Sequence, residues 1–213
     1  MRIILLRHAE SLGNVDELAY TRTPDHALPL TVRGEVQARA AGAAVRAMPH
    51  DPPLAAYVSP YVRALRTFAL LDVPTERVVP EPRLREQDWG NLQDPVEQEL
   101  EKRRRNEFGH FFYRLPHGES GADVDDRVAS FLNELELRIA KDPSHPDTVL
   151  VVSHGLTMRL LCRRMFSWSI DLFESLSNPP HCAIRILDHD GDRWQLNEPF
   201  AQWRDSPDGT KQL

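Results

Sequence analysis

Short runs of large aliphatic residues alternate along the chain with longer segments whose apolar residues recur at helical spacing. The short runs cover residues 2–7, 54–59 and 148–153, and the last of them is rich in valine. Because such runs are too short for an ordinary helix and valine favours extended backbone, each of them predicts a buried strand.

Helices are predicted in the segments between and after these strands. Thr31 is suited to cap the first of them, and the alanines that follow it are good helix formers. Pro60 fits the first turn of the second helix, where its missing N–H leaves no hydrogen bond unmade. The predicted helices run from Thr31 to about Met48 and over residues 61–71, 123–140 and 156–165.

This alternation is typical of an α/β protein, and we expect a three-layer α/β/α sandwich with a mostly parallel central sheet. The 213 residues fit a single domain over residues 1–213, which buries roughly 70% of its extended-chain surface. Ligands of such folds bind at the carboxyl ends of the strands. Two of the predicted strands end directly in histidines, His8 and His154.

The composition is that of a globular protein, with 27% charged and 41% hydrophobic residues. The formal net charge of −6 argues against a dedicated nucleic-acid binder, since a phosphate backbone demands clustered positive charge. A small anionic substrate remains compatible with this charge, because a local group of arginines can oppose the overall sign. We therefore expect no nucleic-acid partner.

The cysteines and the apolar runs bear on the compartment. Cys162 and Cys182 form no CxxC pair and no zinc-ligand spacing, so free thiols in a reducing compartment are expected. The apolar run at residues 3–6 is too short for a signal peptide or a membrane span, and no longer run follows it. The sequence predicts a cytoplasmic protein with no membrane partner.

An arginine and a histidine, Arg7 and His8, stand at the end of the first predicted strand. A pair of this kind is often only a solvated strand end. In the chemical interpretation, His8 offers an uncharged imidazole nitrogen as a nucleophile, since the reference pKa of histidine is about 6.5. Arg7 would then hold phosphoryl oxygens with its planar fork of donors.

His154 and Gly155 occupy the matching position after the third predicted strand and lead into a helix. Backbone N–H groups at a helix start bind anions, and glycine lets the backbone approach a ligand closely. Ser153 lacks the upstream glycine of a GxSxG elbow, which disfavours a serine hydrolase. Two histidines placed in this way favour a shared site over coincidence.

Two further charged groups have both a structural and a chemical interpretation. Arg63 and Arg66 share one face of the second predicted helix, where arginines often lie on the surface with their stems packed down. A glutamate such as Glu86, taken alone, is usually a surface charge. If it instead acts as a general acid beside a leaving oxygen, it typically contributes ~10²–10⁴-fold to the rate.

Taken in order, these pieces resemble the histidine phosphatase superfamily, which includes the cofactor-dependent phosphoglycerate mutases. The matching elements span roughly residues 1–160, and the specificity of the resemblance comes from their order. They are Arg7-His8-Ala9-Glu10-Ser11 with Asn14, Leu30-Thr31 with Gly34 and Gln37-Ala38, Ser59-Pro60 with Arg63-Ala64 and Thr67, Glu86 with Gly90, Gly118-Glu119-Ser120, and Ser153-His154-Gly155. One departure is Ala9, where mutases of the family often carry glycine.

The resemblance implies that His8 is the phosphorylated nucleophile and that Glu86 is the proton donor and later the base. The residues that it implies around the phosphate are Arg7, Asn14, Arg63, His154 and Gly155. Such a pocket opposes the charge of a phosphoryl group without a metal. No HExxH, CxxC or aspartate cluster is present in the sequence, so we expect neither a metal nor a cofactor.

The residues between Glu86 and Gly118, about 87–117, are expected to form a lid, in a segment shorter than the resemblance suggests for mutases. The segment contains Lys102-Arg103-Arg104-Arg105, followed by Phe108, Phe111, Phe112 and Tyr113. One interpretation is a solvated helix face followed by a packing cluster. In the other, the basic residues receive an anionic substrate tail while the aromatic residues cover the organic part.

The sequence thus predicts a phosphomonoesterase that hydrolyses small phosphate monoesters through a phosphohistidine on His8. The run of residues 116–123 resembles a small phosphatase branch spread across bacteria, fungi and plants. A phosphoglycerate-type mutase is the first alternative, and a catalytically silent phospho-ligand sensor is the second. The expected partner is a small phosphorylated substrate, which the sequence does not identify. The sequence also leaves open whether the chain forms a homodimer.

Overall fold

Six strands form one mixed sheet in the computed structural model, which describes residues 1–16, 18–49, 53–91 and 94–203. In chain order they are β1 (Arg2–Arg7), β2 (Leu54–Val58), β3 (Thr75–Pro80), β4 (Thr148–Ser153), β5 (Ile184–His189) and β6 (Trp194–Leu196). Their order across the sheet is β3-β2-β4-β1-β5-β6. Strands β1 to β4 are parallel, whereas β5 pairs antiparallel with β1 and β6 antiparallel with β5. The expectation of a mostly parallel sheet is confirmed.

Eight α-helices among the described residues connect and cover these strands. They are α1 (Leu12–Val15), α2 (Ala19–Arg22), α3 (Val32–Ala47), α4 (Val62–Leu71), α5 (Pro95–Phe108), α6 (Gly121–Lys141), α7 (Gly155–Phe166) and α8 (Ile170–Ser175). The four helices expected from the sequence are α3, α4, α6 and α7. Thr31 caps α3 as expected, since its hydroxyl accepts from the backbone N–H of Gly34 at 2.9 Å. No helix in the described part of the chain is long and apolar enough to cross a membrane.

The two faces of the central strands are covered by different helices, because successive side chains of a strand point to opposite faces. Ile4 and Leu150 pack with buried residues of α3 and α4. Leu5 and Val151, their neighbours along β1 and β4, pack with buried residues of α6 and α7. Two helical layers therefore enclose the sheet, and the expected α/β/α sandwich is confirmed.

The sequence carries no clear signal for three strands, β3, β5 and β6. Strand β3 lies at one edge of the sheet, and its residues alternate between half-buried and exposed. Strands β5 and β6 lie at the other side and are likewise only partly buried. Without a run of buried aliphatic residues, such strands do not stand out from loops.

The carboxyl ends of β1, β2 and β4 meet at one edge of the sheet. Arg7 lies opposite Ser153 in the register of β1 and β4, so His8 and His154 follow at the same level. The backbone N–H of His8 donates to the carbonyl of Ser153 at 2.9 Å, and that of Ser59 donates to a β4 carbonyl at 2.9 Å. Neighbouring strands thus bring together motifs that are distant in sequence.

Residues 87–117 form an excursion that contains α5. Asp94 caps α5 by accepting from backbone N–H groups of its first turn at 2.7 and 3.1 Å. At the base of the excursion, the backbone N–H of Glu119 donates to the carbonyl of Asp88 at 2.8 Å. Phe111 anchors the returning arm in the core. Both ends of the segment are therefore fixed to the body of the protein.

Candidate active site

A cavity of about 600 Å³ opens at the carboxyl edge of the sheet. Residues from β1, α4 and the excursion at residues 87–117 share its wall. The expected site residues on this wall are Arg7, His8, Asn14, Arg63 and Glu86. The fold therefore brings together residues that lie as far apart in sequence as Arg7 and Glu86.

His8 presents one ring nitrogen to the cavity. Its Nδ1 lies 2.7 Å from the carbonyl oxygen of Ala9. A carbonyl only accepts hydrogen bonds, so Nδ1 carries the hydrogen and Nε2 keeps a lone pair. Burial, together with the nearby guanidinium groups of Arg63 and Arg7, holds the pKa of His8 well below its ordinary value. The imidazole is therefore an uncharged nucleophile at neutral pH.

His154 neighbours this nucleophile, with its ring centroid 5.0 Å from that of His8, and it does not lie on the wall that lines the cavity. The side chain is completely buried and its Nε2 lies 2.8 Å from the hydroxyl of Ser59. Its Nδ1 has no hydrogen-bond partner among the described residues and lies 4.0 Å from Oε2 of Glu86. Burial is the main cause that holds the pKa of His154 well below its ordinary value, so this ring is also uncharged.

Two buried arginines add positive charge beside the histidines. The Nη1 of Arg7 donates to the carbonyl of Pro179, while its buried Nε has no partner among the described residues. Arg63 donates from Nη1 to the carboxylate of Asp25 at 2.7 Å, and its guanidinium lies 4.8 Å from the ring centroid of Tyr61. These contacts hold both guanidinium groups in place before any ligand arrives.

Glu86 lies on the cavity wall, directly before the segment of residues 87–117. Burial of the carboxyl group raises the pKa of Glu86 above its ordinary value, against a hydrogen bond from the backbone N–H of Gln87 at 3.0 Å. A carboxyl group with a raised pKa stays protonated closer to neutral pH. It can therefore donate a proton that an ordinary surface glutamate would already have lost.

Asn14 and Gly155 have different positions relative to the cavity. The Oδ1 of Asn14 accepts from the backbone N–H and the hydroxyl of Ser11 at 2.9 and 2.8 Å, so its amide N–H groups remain for a ligand. Gly155 does not lie on the wall that lines the cavity. A Cβ at Gly155 would lie 2.6 Å from Cγ of Asn178. The close approach that this glycine permits is thus to a protein side chain.

The cavity contains residues that the sequence did not indicate. Asp25 sits in a short 3₁₀ turn, Asp25–Ala27, and its pairing with Arg63 spans 38 positions. Asn178 reaches the cavity from the connection between α8 and β5. Tyr61 also lines the cavity, and its place in the motif around Arg63 is the one signal that could have found it.

The basic run of α5 divides between two environments. Arg105 is buried on the cavity wall, where its guanidinium lies 5.3 Å from the ring centroid of Trp89 and donates to Oε1 of Gln87 at 2.9 Å. Burial lowers the pKa of Arg105 to about 10, so the group remains charged. Arg103 and Arg104 are exposed and pair with glutamates of the same helix. Arg103 and Arg104 thus fit the solvated helix face, whereas contact of Arg105 with a substrate stays a prediction.

The aromatic residues at the end of α5 and just after it also divide between buried and exposed positions. Phe111 is buried in the core, whereas Phe108 and Phe112 are largely exposed. None of the three lies on the cavity wall, where Trp89 supplies the aromatic surface instead. The described residues include no group of three or more histidine, cysteine, aspartate or glutamate side chains arranged to hold a metal ion.

The sequence matches the family model described as the histidine phosphatase superfamily, branch 1, over residues 3–201. The phosphoglycerate mutase-like protein AT74 of Arabidopsis thaliana is 42% identical over 97% of this chain and 72% of its own. The broad-range acid phosphatase DET1 of Saccharomyces cerevisiae is 28% identical over 95% of this chain and 90% of its own. A mycobacterial glucosyl-3-phosphoglycerate phosphatase shares the fold at a TM-score of 0.71 and 24% identity, over 92% of this chain and 96% of that one. Because the family model spans nearly the whole chain, this protein belongs to the histidine phosphatase superfamily, branch 1.

Proposed function

We propose that this protein is a phosphomonoesterase that hydrolyses small phosphate monoesters through a phosphohistidine on His8. The observation that carries the proposal is the state of the two buried histidines. The rings of His8 and His154 are uncharged, and their centroids lie 5.0 Å apart. Beside them are the buried arginines Arg7 and Arg63 and the carboxyl group of Glu86, whose pKa is raised. Phosphoryl transfer needs this combination of a nucleophile, positive charge and a proton donor.

In the first step, the lone pair on Nε2 of His8 attacks the phosphorus atom. The bond between phosphorus and the leaving oxygen breaks, and that oxygen takes the proton of Glu86. Arg7, Arg63 and an N–H of His154 offset the charge on the three equatorial oxygens. The products are an alcohol, a phosphohistidine and the carboxylate of Glu86.

In the second step, the carboxylate of Glu86 removes a proton from a water molecule while the water oxygen attacks phosphorus. The bond between phosphorus and Nε2 breaks, and inorganic phosphate leaves. Glu86 is protonated again and His8 is neutral again, so the enzyme is ready for the next turnover. No metal is needed in either step.

We propose that residues 87–117 act as a lid over this reaction. Trp89, Lys102 and Arg105 of this segment line the same cavity as His8. Exclusion of water strengthens the charge interactions inside the cavity. Arg105 is suited to bind a second anionic group of the substrate, because it is charged, buried and on the cavity wall. We therefore favour substrates that carry a carboxylate or a second phosphate.

The proposal is tested by rapid quench of the wild-type protein with an aryl phosphate, followed by mass spectrometry under alkaline conditions that preserve phosphohistidine. We expect acid-labile phosphate on His8 and release of inorganic phosphate, both lost in His8→Ala. His189→Ala, at the opposite edge of the sheet, is the control and should behave as wild type.

Two outcomes would contradict the proposal. Absence of turnover on every phosphate monoester tried, with phosphate still bound, would make the protein a phospho-ligand sensor. Transfer of phosphate between the hydroxyls of phosphoglycerate, with little inorganic phosphate released, would make it a mutase. Both assays use the same His8→Ala control.

A further inference from the structure

We propose that Asn178 is a further catalytic residue, whose amide N–H binds the phosphoryl group in transfer, and that Arg159 is its positioning residue. This inference rests on the proposed transfer of phosphate to His8. Asn178 lies in the connection between α8 and β5, outside every motif that the sequence analysis singled out.

Arg159 is almost fully buried in α7, with 1% of its surface exposed. Its Nε donates to Oδ1 of Asn178 at 3.0 Å, and its Nη1 donates to the carbonyl of Leu176 at 2.6 Å. The guanidinium also lies 4.8 Å from the ring centroid of Phe173. Arg159 is therefore held rigidly by the end of α8, and it points one N–H at the carboxamide.

The arginine determines how the carboxamide of Asn178 is oriented. A guanidinium carries only donors, so the amide must turn its oxygen toward Arg159 and its Nδ2 away. Asn178 is half-buried and lines the cavity, and no acceptor for Nδ2 is present among the described residues. The two hydrogens of Nδ2 thus remain for a ligand in the cavity.

The neighbours of Asn178 place these hydrogens on the phosphoryl side of the cavity. Its side chain packs against Gly155, the residue after His154. The carbonyl of Pro179, the next residue, accepts from Nη1 of Arg7. Asn178 and the residue after it therefore contact Gly155 and Arg7, next to the side chains of Arg7 and His154 that are proposed to contact the equatorial oxygens.

A neutral amide in this position is useful because it is preorganised. Its orientation is fixed by a buried charge, so it loses little freedom when the phosphoryl group becomes trigonal in the transition state. Removal of one preorganised donor of this kind typically costs about 10²–10³-fold in rate. The same donor should bind vanadate, which adopts the geometry of the transition state.

The decisive variant is Asn178→Asp, which keeps the shape of the side chain and its contact with Arg159. Asn178→Ala removes the same donor without adding a negative charge, so a donor role predicts a loss in both variants, whereas charge repulsion alone predicts a loss only in Asn178→Asp. A donor role predicts a loss of about 10²-fold in kcat/KM on aryl and alkyl phosphates alike, since both share the phosphoryl group. The inhibition constant of vanadate should rise by a similar factor. Asn133→Asp, exposed on α6, is the control for added charge and should leave both quantities unchanged.

The positioning role of Arg159 is tested by a double-mutant cycle with Asn178→Ala. Arg159→Lys should lower kcat/KM in the wild-type background and have no further effect on kcat/KM when Asn178 is already alanine. Most of its effect on thermal stability should persist in the Asn178→Ala background, because its bonds to the carbonyls of Phe173 and Leu176 do not involve the amide. Equal kinetic losses in both backgrounds would overturn the positioning role.

The outcomes separate this inference from the proposed function. If wild-type protein forms phosphohistidine on His8 and Asn178→Asp retains full activity and vanadate affinity, only the role of Asn178 is wrong. A loss confined to one leaving group would also overturn it, because Asn178 would then contact the organic part. If wild-type protein forms no phosphohistidine, the proposed function itself fails, and the inference fails with it.

Discussion

The hydroxyl of Ser59 lies 2.8 Å from Nε2 of His154, and both side chains are completely buried. The oxygen of this hydroxyl also accepts from the backbone N–H of Tyr61 at 3.4 Å. We propose that the hydroxyl donates to Nε2, which leaves the hydrogen of the neutral ring on Nδ1. In this tautomer, His154 turns a donor toward Oε2 of Glu86, which lies 4.0 Å from Nδ1.

We expect Ser59→Ala to lower kcat/KM by about tenfold or more, equivalent to about 1.4 kcal/mol of barrier, because His154 loses the contact that selects its tautomer. The free energy of unfolding should fall by about 1–3 kcal/mol, since Nε2 would be buried without a partner. Steady-state kinetics and urea denaturation measure the two effects. Tyr57→Phe is the control: it removes a buried hydroxyl that lies 3.3 Å from Nε2 of His145 and does not line the cavity, so only stability should fall. Unaltered kinetics in Ser59→Ala would show that the tautomer is set elsewhere.

Glu86→Gln should affect substrates according to their leaving groups. An alkoxide is a poor leaving group that needs a proton, whereas an aryl oxide leaves without much help. We expect a loss of about 10²-fold or more in kcat on an alkyl phosphate and a far smaller loss on an aryl phosphate. The ratio of the two losses is the measurement. Equal losses would mean that Glu86 positions the phosphate or the water, and Asp88 or Glu10 would then be tested as the acid.

The pH dependence of the alkyl phosphate reaction follows from the same groups. Glu86 must be protonated, so activity should fall as the pH rises through its pKa, which burial has raised. His8 must be uncharged to attack. Because its pKa is lowered, protonation removes the nucleophile only at a pH well below the ordinary histidine pKa of about 6.5. We therefore expect a bell-shaped profile on the acid side of neutrality, measured as kcat/KM against pH. A profile that rises steadily to pH 9 would contradict both assignments.

Arg105→Met tests the lid, because methionine fills a similar volume without charge. The KM for a substrate with a second anionic group should rise by about tenfold or more, since a charge-assisted hydrogen bond is lost. The KM for a small aryl phosphate should change little. Arg103→Met removes an exposed charge from the same helix and should leave both KM values unchanged. If Arg105→Met and Arg103→Met have the same effect on both KM values, the whole basic run would be a solvated helix face.

Gly34→Ala tests the packing that holds the turn after His8. A Cβ at Gly34 would lie 2.0 Å from the carbonyl oxygen of Glu10, two residues beyond His8. Overpacking of this kind typically costs about 1–3 kcal/mol, against a helix-propensity gain of about 1 kcal/mol. We expect lower stability in urea denaturation and reduced kcat. Ala40→Gly, exposed on α3, should lose about 1 kcal/mol from propensity alone with unchanged kcat. If Gly34→Ala has the stability and kcat of wild type, the turn after His8 shifts to accommodate the added Cβ without a loss of free energy.

The sequence by itself determined the elements that are buried on all sides. The runs inside β1, β2 and β4 are continuously apolar because both faces of these strands pack against helices, and the pattern reports that burial directly. Since the strands are parallel neighbours, the residues that follow them had to meet at one edge. The placement of His8 and His154 at this edge was therefore predictable from position, whereas the role of Arg63 came from the family resemblance.

Only the tertiary structure decided which partners these residues have. Asp25 pairs with Arg63, and Arg159 orients Asn178, across separations that no local pattern encodes. The structure likewise put Lys102 and Arg105 on the cavity wall and left Arg103 and Arg104 exposed. The physical reason is that burial and hydrogen bonding at such positions depend on how distant segments pack, whereas periodicity reports only which face of an element is apolar.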